Sequence, residues 1–573
     1  MNDKPLKSLI AAARGDRPVD LLLRDVRLVN VFTGMVERTA IAISEGHVVG
    51  FGAYEAAAEV DLQGRYVAPG FIDAHVHIES AMVGPAEFAR VVLPQGTTTV
   101  VADPHEIANV LGATGIAYML AASAGRQPTF NFALPSCVPA TAMDSAGARL
   151  GVVSLKPFLR HERIVALAEM MNFPGVIHAD PEVLAKIEAM QAVGKPVDGH
   201  APGLSGRPLN AYLTTGIATD HECTSAREAH EKLAAGMHIM IREGSAARNL
   251  AALLPVVDRH NARRMMWCTD DRHPHDLLGE GHIDSIVRQA IRLGLDPMTA
   301  IQLATLNPAE YFGLKTLGAI APGRQADLVV FSDLACPRIE AVYVRGVEVA
   351  RDGRMTVARP APAAGVLPTR MNVPLERVDL RVPLQGERMR VIVIVPDQIV
   401  TRQQILGVSA RDGAAVADPA RDLLKIAVVE RYTGSARTGI GFVRGLGLKR
   451  GALAASVAHD AHNLIVVGAD DDAMRTALAA LVATGGGLVA VDRRGVRAQL
   501  PLPFAGLMSP EPVEKVKAAL DELLRAAWDL GARLKDPFMT LSFLALAVIP
   551  ELKITDHGLI DVNRFALVPL FVT

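Results

Sequence analysis

The chain of 573 residues is too long for one ordinary domain, so we expect two or three domains. A net charge of −2, scattered basic residues and few aromatic residues give no electrostatic reason to expect a nucleic-acid partner. The four cysteines lie far apart without a CxxC pair, so neither a disulfide framework nor a structural zinc ribbon is expected.

No membrane or export segment is expected. The first sixteen residues, MNDKPLKSLIAAARGD, lack the long apolar core of a signal peptide. The most apolar late stretch, residues 538–550, is too short to span a bilayer. We therefore expect a cytoplasmic protein without a membrane partner.

Two separate segments carry the pattern of a small β domain. Residues 19–64 alternate apolar and polar side chains between glycines, as expected for antiparallel strands. Residues 323–333 and 340–353 repeat this pattern much later in the chain. We predict that the two segments, residues 1–67 and 318–360, pack together into one β-sandwich domain.

Residues 68–317 alternate short apolar runs with longer helical patterns, which implies parallel strand pairing. Helices are predicted at residues 283–293 and 297–306. The candidate strands are FIDAHVH, TTTVVAD, TFNFALP, either GVVSL or IVALAE, PVDGH, IATDHE, MHIMI and RMMWCTD. Eight such units predict an α/β protein with a (β/α)₈ barrel of the TIM type, whose chemistry collects at the C-terminal ends of the strands.

A third region follows a segment rich in proline and alanine, residues 359–370, which is typical of a linker. Beyond it, MRVIVIVP, LLKIAVVER, NLIVVGA and GGLVAV are predicted as strands, and residues 472–483 and 511–530 as helices. We predict a C-terminal α+β domain over residues 361–573.

Histidine and aspartate residues stand at the ends of several predicted barrel strands. His75 and His77 are two residues apart on one strand, so both imidazoles face the same way and can reach one metal ion. Taken alone, such a pair is more often two unrelated histidines near a loop than a metal site. His200, His221 and Asp270 end three further strands, and packing does not explain such a set. Mixed imidazole and carboxylate ligands suit zinc, manganese or iron.

This pattern resembles the amidohydrolase superfamily, in which histidines on barrel strands one, five and six and an aspartate on strand eight hold one or two metals. The resemblance covers about residues 19–355 and implies a binuclear divalent metal centre. Binuclear members need a bridging carboxylate or carbamylated lysine after strand four, and both Glu169 and Lys156 are candidates. We favour Glu169, although a solvated helix position is the alternative for this residue.

Within this superfamily the chain is most similar to bacterial adenine deaminases. The stretches that carry the resemblance are GFIDAHVHIESAM, VVADPHEIANVLG, LAEMMNFPGVI, DGHAPGLSG, TDHECTSAREA, REGSAARNL, CTDDRHPHDLL, VAHDAHNLIVVGA and GGGLVAV. One departure is Ala461, where members of this family often carry serine. The resemblance implies hydrolytic deamination of adenine to hypoxanthine and ammonia in purine salvage. It also implies a purine base as partner and a homodimer or larger homo-oligomer.

The resemblance also suggests roles in the reaction. A metal-bound hydroxide would attack the ring, and Asp270 would move a proton to the departing amine. His105 and Glu106, in the DPHE turn, are further catalytic candidates, although that turn is equally compatible with a purely structural role. The other polar groups near strand ends are candidates for substrate binding: Glu79, Arg242 and Ser245.

The tail contains a second compact cluster, His459, Asp460 and His462. It could cover the mouth of the barrel, bind a further ion, or merely order a turn.

Rival functions remain within the same superfamily and outside it. Deamination of a substituted adenine, opening of a cyclic amide and deacetylation of an amino sugar use related metal sites. A non-catalytic barrel is the alternative of another class, and its mark would be missing ligands. The sequence has neither PCxxC nor HExxH, which excludes the other zinc deaminase architecture and the common zinc proteases.

Overall fold

The computed structural model describes residues 3–358, 367–396 and 398–572. It begins with helix α1 (Asp3–Arg14), which the sequence analysis did not predict. Five strands follow: β1 (Val19–Asn30), β2 (Met35–Ser44), β3 (His47–Phe51), β4 (Ala56–Asp61) and β5 (Tyr66–Pro69). Strands β1 to β3 are antiparallel as predicted, whereas β4 and β5 run parallel to β1. The prediction of antiparallel pairing throughout was wrong because alternation of side chains reports a strand but not its direction.

Nine short parallel strands form the barrel. They are β6 (Phe71–His77), β7 (Thr97–Ala102), β8 (Thr129–Leu134), β9 (Ile164–Met170), β10 (Val197–Gly199), β11 (Thr219–Asp220), β12 (His238–Arg242), β13 (Met265–Cys268) and β14 (Asp270–Asp271). Strands β13 and β14 are separated only by Thr269 and together form the eighth strand of the barrel. Strand β14 pairs with β6 and closes the barrel. A single bridge between Val197 and Ile217 joins β10 to the β11 segment. The predicted (β/α)₈ barrel is confirmed.

Side chains fill the interior of the barrel, so the fold offers a site only at its rim. The inward residues are small or flexible: Ala74, Val101, Ala133, Ala166, Ala168, Met240, Met266 and Cys268. All are buried and pack against one another. A filled barrel of this kind places its chemistry at the C-terminal ends of the strands.

Thirteen helices lie within the barrel region: α2 (Pro85–Val92), α3 (His105–Leu111), α4 (Ala113–Ala122), α5 (Val152–Leu155), α6 (Phe173–Ile177), α7 (Pro181–Gln191), α8 (Gly206–Thr214), α9 (Ala226–Ala234), α10 (Leu250–Leu253), α11 (Pro274–Gly279), α12 (Ile283–Arg292), α13 (Pro297–Leu303) and α14 (Leu306–Tyr311). Two expectations change. The run GVVSL forms helix α5 and exposes Val153, so IVALAE supplies the fourth strand. The helix predicted at 297–306 is two helices, because Thr305 leaves helical geometry (φ −140°, ψ −81°).

The second β segment completes the small domain with β15 (Leu328–Phe331), β16 (Ala341–Val344), β17 (Val347–Arg351) and β18 (Arg354–Met355). Strand β15 pairs with β5, so hydrogen bonds join both segments into one continuous nine-stranded sheet. Leu23 and Val67 from the first segment share a buried core with Leu328 and Tyr343 from the second. The two segments therefore associate through one sheet whose side chains enclose a common core, and the predicted sandwich and its bounds stay a prediction.

The C-terminal region is rich in strands: β19 (Arg388–Ile394), β20 (Thr401–Gly407), β21 (Ala410–Arg411), β22 (Ala414–Ala415), β23 (Leu424–Val429), β24 (Thr438–Arg444), β25 (Ala452–Ala455), β26 (Leu464–Gly468), β27 (Gly487–Asp492), β28 (Gly495–Pro501), β29 (Leu552–Thr555), β30 (Gly558–Asp561), β31 (Ala566–Val568) and β32 (Phe571–Val572). Nine of them make a mixed sheet in the order β20-β19-β24-β23-β26-β25-β27-β28, with β32 beside β19. Strands β29 to β31 form a separate small sheet. Three helices accompany them: α15 (Asp471–Ala483), α16 (Val513–Asp529) and α17 (Pro537–Phe543).

This α+β domain docks onto the barrel. The backbone N–H of Val513, at the start of α16, donates to the Glu87 carboxylate (3.2 Å), and the His273 ring lies 3.0 Å from Asp536. Of the predicted linker at 359–370, residues 359–366 lie outside the described residues. No helix of the described chain is both long enough and apolar enough to cross a bilayer.

Candidate metal centre and active site

Four donor atoms from three barrel strands converge at one point of the rim. The Nε2 atoms of His75 and His77 are 3.1 Å apart. Glu169 Oε1 lies 3.5 and 3.3 Å from these two nitrogens, and Asp270 Oδ1 lies 3.4 and 3.1 Å from them. Bonds of about 2.0–2.1 Å in tetrahedral geometry place ligand atoms about 3.3 Å from each other. The spacing of the four donors therefore fits a shell around one cation.

The second carboxylate oxygen of Glu169 faces another pair of histidines. Glu169 Oε2 lies 2.6 Å from His200 Nδ1 and 3.1 Å from His221 Nε2. All three side chains are buried. One carboxylate thus stands between two histidine pairs, with one oxygen toward each, and this arrangement suits a bridge between two cations.

Local hydrogen bonds determine where the imidazoles of His75 and His77 carry their protons. His77 Nδ1 lies 3.0 Å from the backbone carbonyl of Asp103, so Nδ1 carries the proton and Nε2 presents its lone pair to the site. Burial alone lowers the pKa of His75, but hydrogen bonds with Asp270 and Glu169 outweigh it and raise that pKa to about 10. A cation binding here would compete with this proton for the same lone pair.

The two candidates for the bridging residue, Lys156 and Glu169, lie in different places. Lys156 follows helix α5 at the surface and is exposed. Glu169 is buried near the C-terminal end of β9, among the histidines. The two neighbouring aspartates also face different groups. Asp270 faces the histidines, whereas Asp271 accepts a hydrogen bond from the Ser80 hydroxyl.

Arg242, at the end of β12, holds two carboxylates. Its Nη1 donates to Asp270 Oδ2 (2.7 Å), and its Nη2 donates to Glu222 Oε2 (3.0 Å). Burial raises the pKa of Asp270, but the adjacent guanidinium and the hydrogen bonds with His75 and His77 outweigh it and hold that pKa well below its usual range. Arg242 thereby keeps Asp270 ionised and turns its other oxygen toward the histidines.

Glu106 connects the barrel to the tail cluster. Its Oε1 is 2.6 Å from His459 Nδ1 and 3.4 Å from His105 Nε2, and its Oε2 accepts from His462 Nε2. The backbone N–H of Ala458 donates to His462 Nδ1 (3.2 Å), so the proton of this ring sits on Nε2. Burial raises the pKa of Glu106, but the surrounding imidazoles outweigh it and lower that pKa well below normal.

His105 is oriented by a second carboxylate. Its Nδ1 donates to Asp103 Oδ2 (2.8 Å), which leaves Nε2 facing Glu106 and Asp460 Oδ1, 3.7 Å away. The small cavity between these groups also includes Ile399 and Phe543 of the C-terminal domain. The tail cluster therefore covers the barrel mouth, which was one of its three expected roles.

Comparisons with known proteins match both halves of the chain. Residues 66–349 match the amidohydrolase family, and residues 398–566 match the adenine deaminase C-terminal domain. The adenine deaminase of Desulfatibacillum aliphaticivorans is 53% identical over 98% of this chain and 99% of its own length. That of Methanothrix thermoacetophila is 49% identical over 99% of this chain and 100% of its own length. The chain belongs to the adenine deaminase family.

In this adenine deaminase family member, the expected substrate-binding residues occupy different places. Glu79 is buried beside the site, where its Oε1 accepts from the Ile107 N–H (3.2 Å) and its Oε2 has no partner among the described residues. Burial raises the pKa of Glu79 to about 7. Arg242 lines the cavity, whereas Ser245 does not. The Ser245 hydroxyl donates a hydrogen bond to Asp276, and the residue lines a neighbouring cavity instead.

Sequence reasoning missed two carboxylates of this candidate site. Glu222 lies 3.7 Å from His221 Nε2 and pairs with Arg242, and Asp103 orients His105. Both belong to similar local patterns, Asp103-Pro-His-Glu and Asp220-His-Glu, each at the end of a barrel strand. That repeated pattern of a histidine flanked by acids was the available signal.

Proposed function

We infer that this protein is a metal-dependent hydrolase that converts adenine to hypoxanthine and ammonia. The observation that carries the inference is the Glu169 carboxylate, whose two oxygens each face a separate pair of histidines. The full-length similarity to proteins named adenine deaminase supports the choice of substrate.

We propose that His75, His77 and Asp270 hold one divalent cation and His200 and His221 the other, with Glu169 between them. Two such cations would supply a water molecule of lowered pKa as the nucleophile. Manganese, iron and zinc all suit a mixed nitrogen and oxygen donor set. Metal analysis of the purified protein, with two equivalents per chain as the expected result, tests this assignment.

The chain's own residues would move the protons. Asp270, held ionised by Arg242, accepts a proton from the attacking water and passes it to the departing amine. Glu106 and His105 line the cavity, so we assign them to hydrogen bonding or protonation of the purine ring nitrogens. Their burial excludes bulk water, which strengthens each of these interactions. Glu79 is buried next to them without lining the cavity, and its substrate-binding role stays a prediction.

The direct test is ammonia release from adenine by wild-type protein and by Asp270→Asn. We expect metal-dependent turnover by the wild type and a loss of at least about a hundredfold in kcat for the variant, which keeps the side-chain shape but removes the base. Dihydroorotate, hydantoin and an N⁶-substituted adenine serve as parallel substrates. Turnover of any of these in place of adenine would retain the metal site and reject the substrate.

The formation of a homo-oligomer stays a prediction. Light scattering of the purified protein would measure its mass and test this prediction.

A further inference from the structure

A second cavity lies directly outside the catalytic one. It lies between the Ser245 loop of the barrel and helix α17. Exposed Gln398 and Lys535 stand at its outer side. Ile399 and Phe543 line both this cavity and the catalytic cavity, so these two residues form the wall between them.

One side chain fastens both wall residues. The ammonium of Lys553, on strand β29, donates to the backbone carbonyls of Ile399 (2.7 Å) and Phe543 (2.9 Å). The same strand also bonds to the adjoining residues, since the Thr401 hydroxyl donates to Leu552 O (2.8 Å). Strand β29 thus links the two chain segments that make the wall.

The chemical setting of Lys553 is unusual for a buried lysine. It is fully buried and forms no ion pair within the described residues, and burial lowers its pKa to about 7. Lys425 and Lys232, which are also buried, are paired with Asp471 and Asp220. Burying an ammonium without a counter-charge opposes folding, and an apolar side chain would avoid that cost. In its buried position, this lysine binds one backbone carbonyl from each of the two wall residues.

The wall also touches the polar cluster of the active site. The Phe543 ring stacks on the His459 ring, with centroids 4.6 Å apart and planes at 12°. His459 in turn contacts Glu106. The position of Phe543 is therefore coupled to the side chains that face the purine in the proposed function.

We propose that the outer cavity is the route by which adenine reaches the catalytic cavity, and that Lys553 is a positioning residue that holds the Ile399–Phe543 wall between the two. The proposal rests on the proposed function. Passage between the two cavities requires the wall to move, because the buried side chains of Ile399 and Phe543 stand between them.

Blocking the outer cavity tests the route. Thr540 lines the outer cavity only, and its hydroxyl donates to the carbonyl of Asp536 four residues earlier. Thr476, exposed on helix α15, makes the same bond to Asp472 and provides the matched control. We expect Thr540→Trp to lower kcat/KM for adenine, and the association rate of hypoxanthine, at least about fivefold. Metal content should be unchanged, and Thr476→Trp should behave as wild type.

Removing the ammonium tests the positioning role. We expect Lys553→Met to raise KM at least about fivefold with a smaller change in kcat, because the wall loses its fixed position. Lys553→Arg should restore much of KM, since its guanidinium can donate to both carbonyls. Lys425→Met removes another buried lysine of the same domain and should leave KM unchanged.

The outcomes separate this proposal from the proposed function. A wild-type protein that releases no ammonia from adenine would reject both. Wild-type turnover combined with equal kinetics of Thr540→Trp and Thr476→Trp would reject the route alone. A KM of Lys553→Met equal to that of wild type would reject the positioning role. If Lys553→Met misfolds, Lys553→Arg decides: its KM should stay within about twofold of wild type, and a larger change would reject the role.

Discussion

Replacing Glu106 by glutamine removes one negative charge from the contact between the barrel and the C-terminal domain while keeping the side-chain shape. Glu106 contacts the imidazoles of His459, His462 and His105, and all four side chains are buried. Breaking a buried ion pair by neutralising one partner leaves the other charge uncompensated. We therefore expect Glu106→Gln to destabilise the protein, with a pH dependence set by His459.

The size of the effect follows from the pKa of His459. Burial lowers this pKa, but Glu106, Asp271 and Asp460 outweigh it and raise the value from 6.5 to about 9. A shift of this size corresponds to about 3 kcal/mol of stabilisation. Because the folded pKa is raised, the stabilisation is complete below pH 6.5 and is lost as the pH rises through 9. Glu106 is the largest of the contributions that raise this pKa, so Glu106→Gln should remove much of this stabilisation.

The assay is urea denaturation of the metal-loaded wild type and Glu106→Gln at several pH values between 6 and 9.5. The difference in unfolding free energy should be largest at pH 6 and should shrink steadily toward pH 9.5. Glu514→Gln is the matched control, because Glu514 forms a partly exposed ion pair with Arg90 across the same interface. Such a pair contributes about 0–1 kcal/mol. A difference for Glu106→Gln that stays constant from pH 6 to 9.5 would refute the assignment of a charged His459.

Three further predictions concern the metal centre and the buried cations. Glu169→Gln should reduce bound metal from two equivalents to one or none and abolish ammonia release; retention of both metals, measured by elemental analysis, would contradict the bridging role. Arg242→Met should lower the free energy of unfolding of the metal-free protein by about 3–5 kcal/mol, since Asp270 and Glu222 lose a shared cation. Lys553 has a folded pKa of about 7, below its value near 10.4 in the unfolded chain, so the unfolded state binds more protons between these values. The stability of wild type relative to Lys553→Met should therefore rise by about 1.4 kcal/mol per pH unit from pH 7 to 10, and a flat difference across this range would contradict the buried, unpaired ammonium.

The sequence alone located most of the barrel and the strand-end donors. A strand turns residues two apart to the same side, so His75 and His77 could be assigned to one site before any fold was known. A parallel barrel places the C-terminal ends of all strands on one rim, which brought His200, His221 and Asp270 to the same place. Strand direction in the small domain was not predictable, because the side-chain pattern is the same in parallel and antiparallel pairing.

Only the tertiary structure decided which groups share that rim and in what electrostatic state. The sequence favours Glu169 over Lys156 only by resemblance, whereas in the structure Lys156 is exposed and Glu169 is buried among histidines. Glu106 and His462 are 356 positions apart in the chain and are brought into hydrogen-bond contact by domain docking. Local sequence fixes the direction of a side chain relative to its own strand or helix, whereas burial and long-range contacts fix its neighbours. Those neighbours set the pKa values on which the proposed chemistry depends.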